Sequence, residues 1–185
     1  SCVECKTSDE NEKEEKVKLW KLVVDLECDS IDSIRRLLYN RAKWDEIFIH
    51  SSVVVESFAD NQMNADVHHY VVKDMNMTRD FCELRIFSDN VVFNKKRCQC
   101  LFSRSIEHDK ASRMGDVRAN VLKNVYLIEP LKSSSSTMAL NNGTKFRLHQ
   151  LYSADLKGYS FEWYDKYQGH LLKRYLVNMK TNLLL

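Results

Sequence analysis

The sequence predicts an α+β domain, a curved antiparallel sheet of about nine strands closed by one long C-terminal helix. Three observations predict it. Runs rich in strand formers recur along most of the chain. One short amphipathic helix interrupts them near the start. From residue 160 onwards the apolar spacing changes to that of a helix.

Taken in order, residues 1–6 form a first short strand, and the charged run at 8–16, SDENEKEEK, is the solvated loop of a hairpin. Residues 18–28, KLWKLVVDLEC, are the second strand. Asp29 or Ser30 caps a helix that puts Ile31, Ile34, Leu37 and Leu38 on one face. Trp44-Asp45 follows in a short helical turn. Strands are expected over 52–58, 66–73, 79–87 and 98–107, then 114–122 and 124–131 with a break at Lys123-Asn124. The four serines at 133–136 open a loop that ends at the turn signal Asn142-Gly143. A last strand covers 144–155, and Asp155-Leu156-Lys157-Gly158 ends the sheet.

Ser160 can cap the terminal helix, with Glu162 and Asp165 complementing its dipole. Tyr164, Tyr167, Leu171, Tyr175 and Met179 recur at helical spacing, and Leu172 and Leu176 widen that face. Gly169 lowers the helical propensity and is expected to let the helix bend or approach a neighbour. This helix is the only element long enough to cover a curved sheet. Both a solid core and an apolar cavity fit such an arrangement, and a cavity would bind apolar ligands.

The 185 residues fit one domain and can bury a sizeable core. A formal net charge of +2 lacks the basic excess of a dedicated nucleic-acid binder. No apolar run approaches the roughly 20 residues of a membrane-spanning helix, and the first residues do not resemble a signal peptide. Six cysteines include Cys2-x-x-Cys5 and Cys98-x-Cys100, but these pairs lack the spacing of a zinc knuckle and sit in strand-like segments. Reduced thiols acting as small apolar groups are expected, with no metal and no cofactor. The sequons at Asn76 and Asn142 are read as chance matches.

No G-x-S-x-G elbow and no Gly-rich phosphate loop occurs. His68 and His69 are adjacent on a strand and point to opposite faces, so they cannot chelate one metal together. The chain is therefore not expected to be an enzyme.

A family resemblance rests on four segments in order. They are Trp44-Asp45 after the first helix, the run RDFCELR at 79–85, Val117-Arg118-Ala119 leading to YLIEP at 126–130, and Asp155-Leu156-Lys157-Gly158 before the last helix. This set resembles START lipid-binding domains across nearly the whole chain. The run YSFEWY at 159–164 and Gly169-His170-Leu171 look most like the C-terminal START domain of the deleted-in-liver-cancer family of Rho GTPase-activating proteins.

The resemblance implies a helix-grip fold over residues 1–185 that lacks the family's initial helix. It implies one lipid, a phospholipid or a sterol, held between sheet and terminal helix for sensing or membrane targeting. The lipid-binding candidates are Arg85, His69, Tyr164, Tyr167, Leu171, Tyr175 and Met179. The terminal helix and a loop at 88–96 would form the gate. Arg85 matches an arginine that pairs with a carboxylate on the preceding strand in sterol-binding relatives. The matching position here reads as His69, with Asp66 three residues earlier, which puts sterol specificity in doubt.

Other implied partners are the neighbouring GTPase-activating region of a longer parent and a membrane periphery, with a cytoplasmic location that includes focal adhesions. A protein-interaction module that regulates that region without binding lipid is the alternative. Arginine-finger chemistry belongs to a separate helical domain, which this chain lacks.

Overall fold

The computed structural model describes residues 2–5, 17–55, 63–74, 77–131, 144–157 and 161–183, with side chains at 19–55, 64–73, 77–131, 144–157 and 169–183. The strands are β1 (Cys2–Cys5), β2 (Val17–Cys28), β3 (Phe48–Val55), β4 (Met63–Asp74), β5 (Met77–Phe93), β6 (Lys96–Ser105), β7 (Val117–Arg118), β8 (Asn120–Pro130) and β9 (Thr144–Asp155). The helices are α1 (Ile31–Tyr39) and α2 (Phe161–Leu183), with a single 3-10 turn at Arg41–Lys43. Eight strands form one antiparallel sheet in the order β1-β2-β9-β8-β6-β5-β4-β3. The two-residue β7 joins it by pairing parallel to β5.

Strand parity separates the two faces of the sheet. On β5, Phe81, Glu83, Arg85 and Phe87 share the face towards α2. The register places Tyr70, His68 and Asp66 of β4 opposite the first three of them, on that same face. The main core joins this face to the helices. Leu26, Phe87, Leu101, Tyr126, Ile128, Phe146 and Leu148 pack against Ile34 and Leu38 of α1 and Tyr175 and Met179 of α2. The outer face carries a smaller cluster, Val67, Cys82 and Ala111, covered by the chain between β6 and β7.

The structure revises several expectations. β3 begins at Phe48 rather than at residue 52. Residues 114–122 are not one strand. The chain stays irregular up to the β7 pair and bends before β8, which then runs continuously through Lys123-Asn124 with only a register shift there. Beside the bend Arg118 places two hydrogen bonds of 2.8 Å on the buried Asp80 of the outer face. The neighbouring Gly115 packs so tightly that a Cβ would lie 2.8 Å from the Asp80 backbone nitrogen.

The segment 88–96 is regular rather than an irregular loop. It is the end of the β5–β6 hairpin, turned at Asn94 and Lys95 with positive φ of 49° and 61°. Lys96 donates to Glu129, whose strand parity puts it on the outer face of β8.

Gly169 is not needed for close approach. A Cβ there would meet the Trp20 ring at 3.7 Å, an ordinary contact. Of the cysteines, Cys28, Cys82 and Cys98 are buried free thiols and Cys100 is a half-buried one. Burial pushes each of these thiols up from its usual pKa. The side chains of Cys2 and Cys5, the segments 8–16 and 132–143, and Ser160 lie outside the described residues. Among the described residues, no cluster of His, Cys, Asp and Glu is placed to hold a metal, and no helix is long and apolar enough to cross a membrane.

Candidate functional site

Beneath α2 the sheet leaves a cavity of about 100 Å³. Its roof is Leu171, Leu172 and Tyr175 of α2, and its floor is Tyr70, Phe81 and Tyr152 from β4, β5 and β9. Phe48 and Ile47 close one side, and Lys73 and Arg174 stand where it meets solvent. The floor is aromatic because the strand parity brings those rings to one face. Tyr70 stacks on Phe81 with centroids 4.8 Å apart, and Phe48 tilts against Tyr70 at 5.1 Å. The hydroxyl of Tyr70 donates to Glu83, and burial followed by the Glu83 charge raises its pKa well above the usual value.

The segment after α1 holds α2 in place. Trp44 donates its indole N–H to the Leu37 carbonyl at 2.9 Å and stacks on Tyr175. Arg41 lies 4.3 Å from the centroid of the same ring and pairs with the buried Asp45 at 2.8 Å. At the far end of β9, Asp155 accepts from the Lys157 N–H, and Arg79 donates to the Leu156 carbonyl at 2.8 Å. These bonds give Trp44-Asp45 and Asp155-Leu156-Lys157 their physical roles. The first set packs against Tyr175 of α2, and the second orders the end of β9.

The candidate residues divide. Leu171 and Tyr175 line the cavity. Met179 does not; it is fully buried in the main core. The side chains of Tyr164 and Tyr167 lie outside the described residues. Arg85 is on the face towards α2 but outside this cavity, in a separate pocket beside β3.

The acidic partner of Arg85 is Asp66, directly opposite in the register, with both hydrogen bonds at 2.7 Å. The guanidinium also lies over the Tyr39 ring. His69 is on the outer face, where it meets Asp80 at 3.3 Å and His50 edge-on. Burial works to raise the Asp80 pKa, but the bonds from Arg118 and the Met114 N–H outweigh it and hold the carboxyl below its usual value. The histidine on the inner face is His68, bonded to Ser51 at 2.7 Å. Burial, then the Arg85 charge, push its imidazole down to about 3.

The residues missed from sequence are Phe48, Tyr70, Phe81, Tyr152 and Gln150. Parity on β9 was the available signal for Gln150, which stands between Leu148 and Tyr152 at an inward position.

A START domain family model matches residues 4–179. The human StAR-related lipid transfer protein 13 is 35% identical over 168 residues, 90% of this chain. Rho GTPase-activating protein 7 of the rat is 31% identical over the same share of the chain. In each case the chain spans 14% of the relative's length. Among solved structures, the human StarD13 (DLC2) lipid transfer and protein localization domain superposes with a TM-score of 0.73 at 32% identity, covering 99% of this chain and 89% of that one. The human StAR-related lipid transfer protein 5 gives 0.70 at 15% identity, covering 97% and 86%, a likeness of fold. A family match over almost the whole sequence, joined to this fold and these relatives, makes the chain a member of the START domain family.

Proposed function

We propose that this chain is a lipid-binding module, taking one lipid between the sheet and α2 to sense lipid or to target a membrane. The observation that supports it most is the aromatic and aliphatic cavity beneath α2, with polar groups at a few fixed points. The names of its relatives, lipid transfer proteins and a Rho GTPase activator, support placing the module in a longer Rho GTPase-activating protein. In that setting the module acts at the cytoplasmic membrane periphery, including focal adhesions, and contributes by binding rather than catalysis.

The cavity volume sets the mechanism. Ligand pockets enclose roughly 300–1,000 Å³, well above the 100 Å³ enclosed here. A whole lipid therefore enters only if α2 swings outwards. That motion breaks the Trp44 and Arg41 contacts to Tyr175. Closure over the bound lipid then restores a dry interior.

The small volume also favours a second reading, a module that contacts the GTPase-activating region of its parent and holds no lipid. Native mass spectrometry after incubation with mixed-lipid vesicles separates the two. A one-to-one lipid adduct supports the first. A chain that stays free of lipid while binding the rest of its parent supports the second.

A further inference from the structure

The cavity wall contains two buried polar atoms, Gln150 Oε1 and the Tyr175 hydroxyl, that make no well-formed hydrogen bond within the protein. Gln150 is 3% exposed. Its amide nitrogen donates to Asn124 Oδ1 at 3.0 Å and to the Tyr126 hydroxyl at 2.8 Å. Asn124 in turn donates to Ser103 Oγ at 3.3 Å. Gln150 Oε1 is left without a partner. The hydroxyl of Tyr175, 4% exposed, lies against that of Tyr126, with which it makes at most a poorly directed hydrogen bond. Both residues line the cavity beneath α2.

We propose that Gln150 and Tyr175 determine specificity by selecting a lipid that buries a hydroxyl group. This rests on the lipid-binding reading above. A hydroxyl donates its proton to Gln150 Oε1 and accepts one from Tyr175, so a single group satisfies both atoms. An acyl tail satisfies neither. A phosphodiester has no proton to give to Oε1, and a quaternary ammonium has no N–H. Leaving one buried polar atom unsatisfied weakens binding by roughly tenfold.

The test uses the 185-residue chain and phosphatidylcholine vesicles. They contain cholesterol with its 3-O-methyl ether, and dioleoylglycerol with its O-methyl ether, in equal amounts. Lipid carried off by the protein is quantified by mass spectrometry. We expect at least a tenfold preference for a free-hydroxyl lipid over its ether. In Gln150→Met and Tyr175→Phe that preference falls towards unity while uptake of the ether is retained. Tyr175→Phe keeps the ring that stacks on Trp44 and removes only the hydroxyl beside Tyr126, so the fold survives it and the result stands on that variant alone if Gln150→Met is unstable. Uptake without preference, uptake of phosphatidylcholine alone, or an undiminished preference in Tyr175→Phe overturns this inference and leaves the lipid-binding reading intact. No uptake of any lipid overturns both.

Discussion

Trp44 stacks on Tyr175 with ring centroids 5.6 Å apart and planes 29° from parallel. The contact joins the segment after α1 to the helix that roofs the cavity. Trp44→Ala removes it together with the indole bond to Leu37. The variant should lose about 3 kcal/mol of stability in denaturant unfolding. It should also exchange a bound fluorescent lipid faster, because α2 is released. Unchanged exchange would show that this stack does not restrain α2.

Asp66 and Arg85 are 16% and 8% exposed at the side chain and bond at both nitrogens. Removing one partner strands the other. Asp66→Asn should cost about 3–5 kcal/mol in chemical denaturation. The paired change Asp66→Leu with Arg85→Met should recover most of that loss, since the site then buries no charge. A double variant as unstable as the single would mean that Arg85 is held by more than this pair.

His68 supplies a pH dependence with a definite sign. Its folded pKa, about 3, lies below the ordinary 6.5. The unfolded chain therefore binds a proton that the folded chain refuses. The stability contribution is complete above pH 6.5 and is lost as the pH falls from there towards 3. The expected slope approaches about 1.4 kcal/mol per pH unit. Urea midpoints at pH 7, 5.5 and 4.5 for the parent and His68→Gln isolate this group from the carboxylates. A parent and variant with parallel pH profiles would exclude His68 as the source.

The two described glycines differ in a way that substitution can read. Gly169→Ala places a methyl in ordinary contact with Trp20 inside a helix, so it should stabilise by about 0.5–1 kcal/mol. Gly115→Ala drives a methyl against the backbone of Asp80, so it should destabilise and disturb the Arg118 bonds. Melting temperatures of both variants check the pair, with opposite shifts expected.

Much of this fold is legible in the sequence because one-sided burial writes alternation into the strands and a helical stripe into α2. The strands around Tyr70 and Phe81 and the stripe through Leu171 and Tyr175 are of this kind. What is not legible depends on register and three-dimensional neighbours. Asp66 becomes the partner of Arg85 only through the pairing of β4 with β5, and the family resemblance pointed to His69. Met179 and Leu171 share a helical stripe, but one meets the main core and the other the cavity. The hairpin at 88–96 turns at Asn94-Lys95 without a glycine, so its turn carries no strong signal in the sequence.

Leu171→Trp tests the cavity most directly, with thermal stability and fluorescent-lipid binding measured on the same sample. Leu171 is half-buried and borders empty space, so the larger ring should be accommodated within about 1 kcal/mol while lipid binding falls at least tenfold. A variant destabilised by about 1–3 kcal/mol, as in a fully packed core, or a stable variant that binds lipid like the parent, would contradict a lipid site beneath α2.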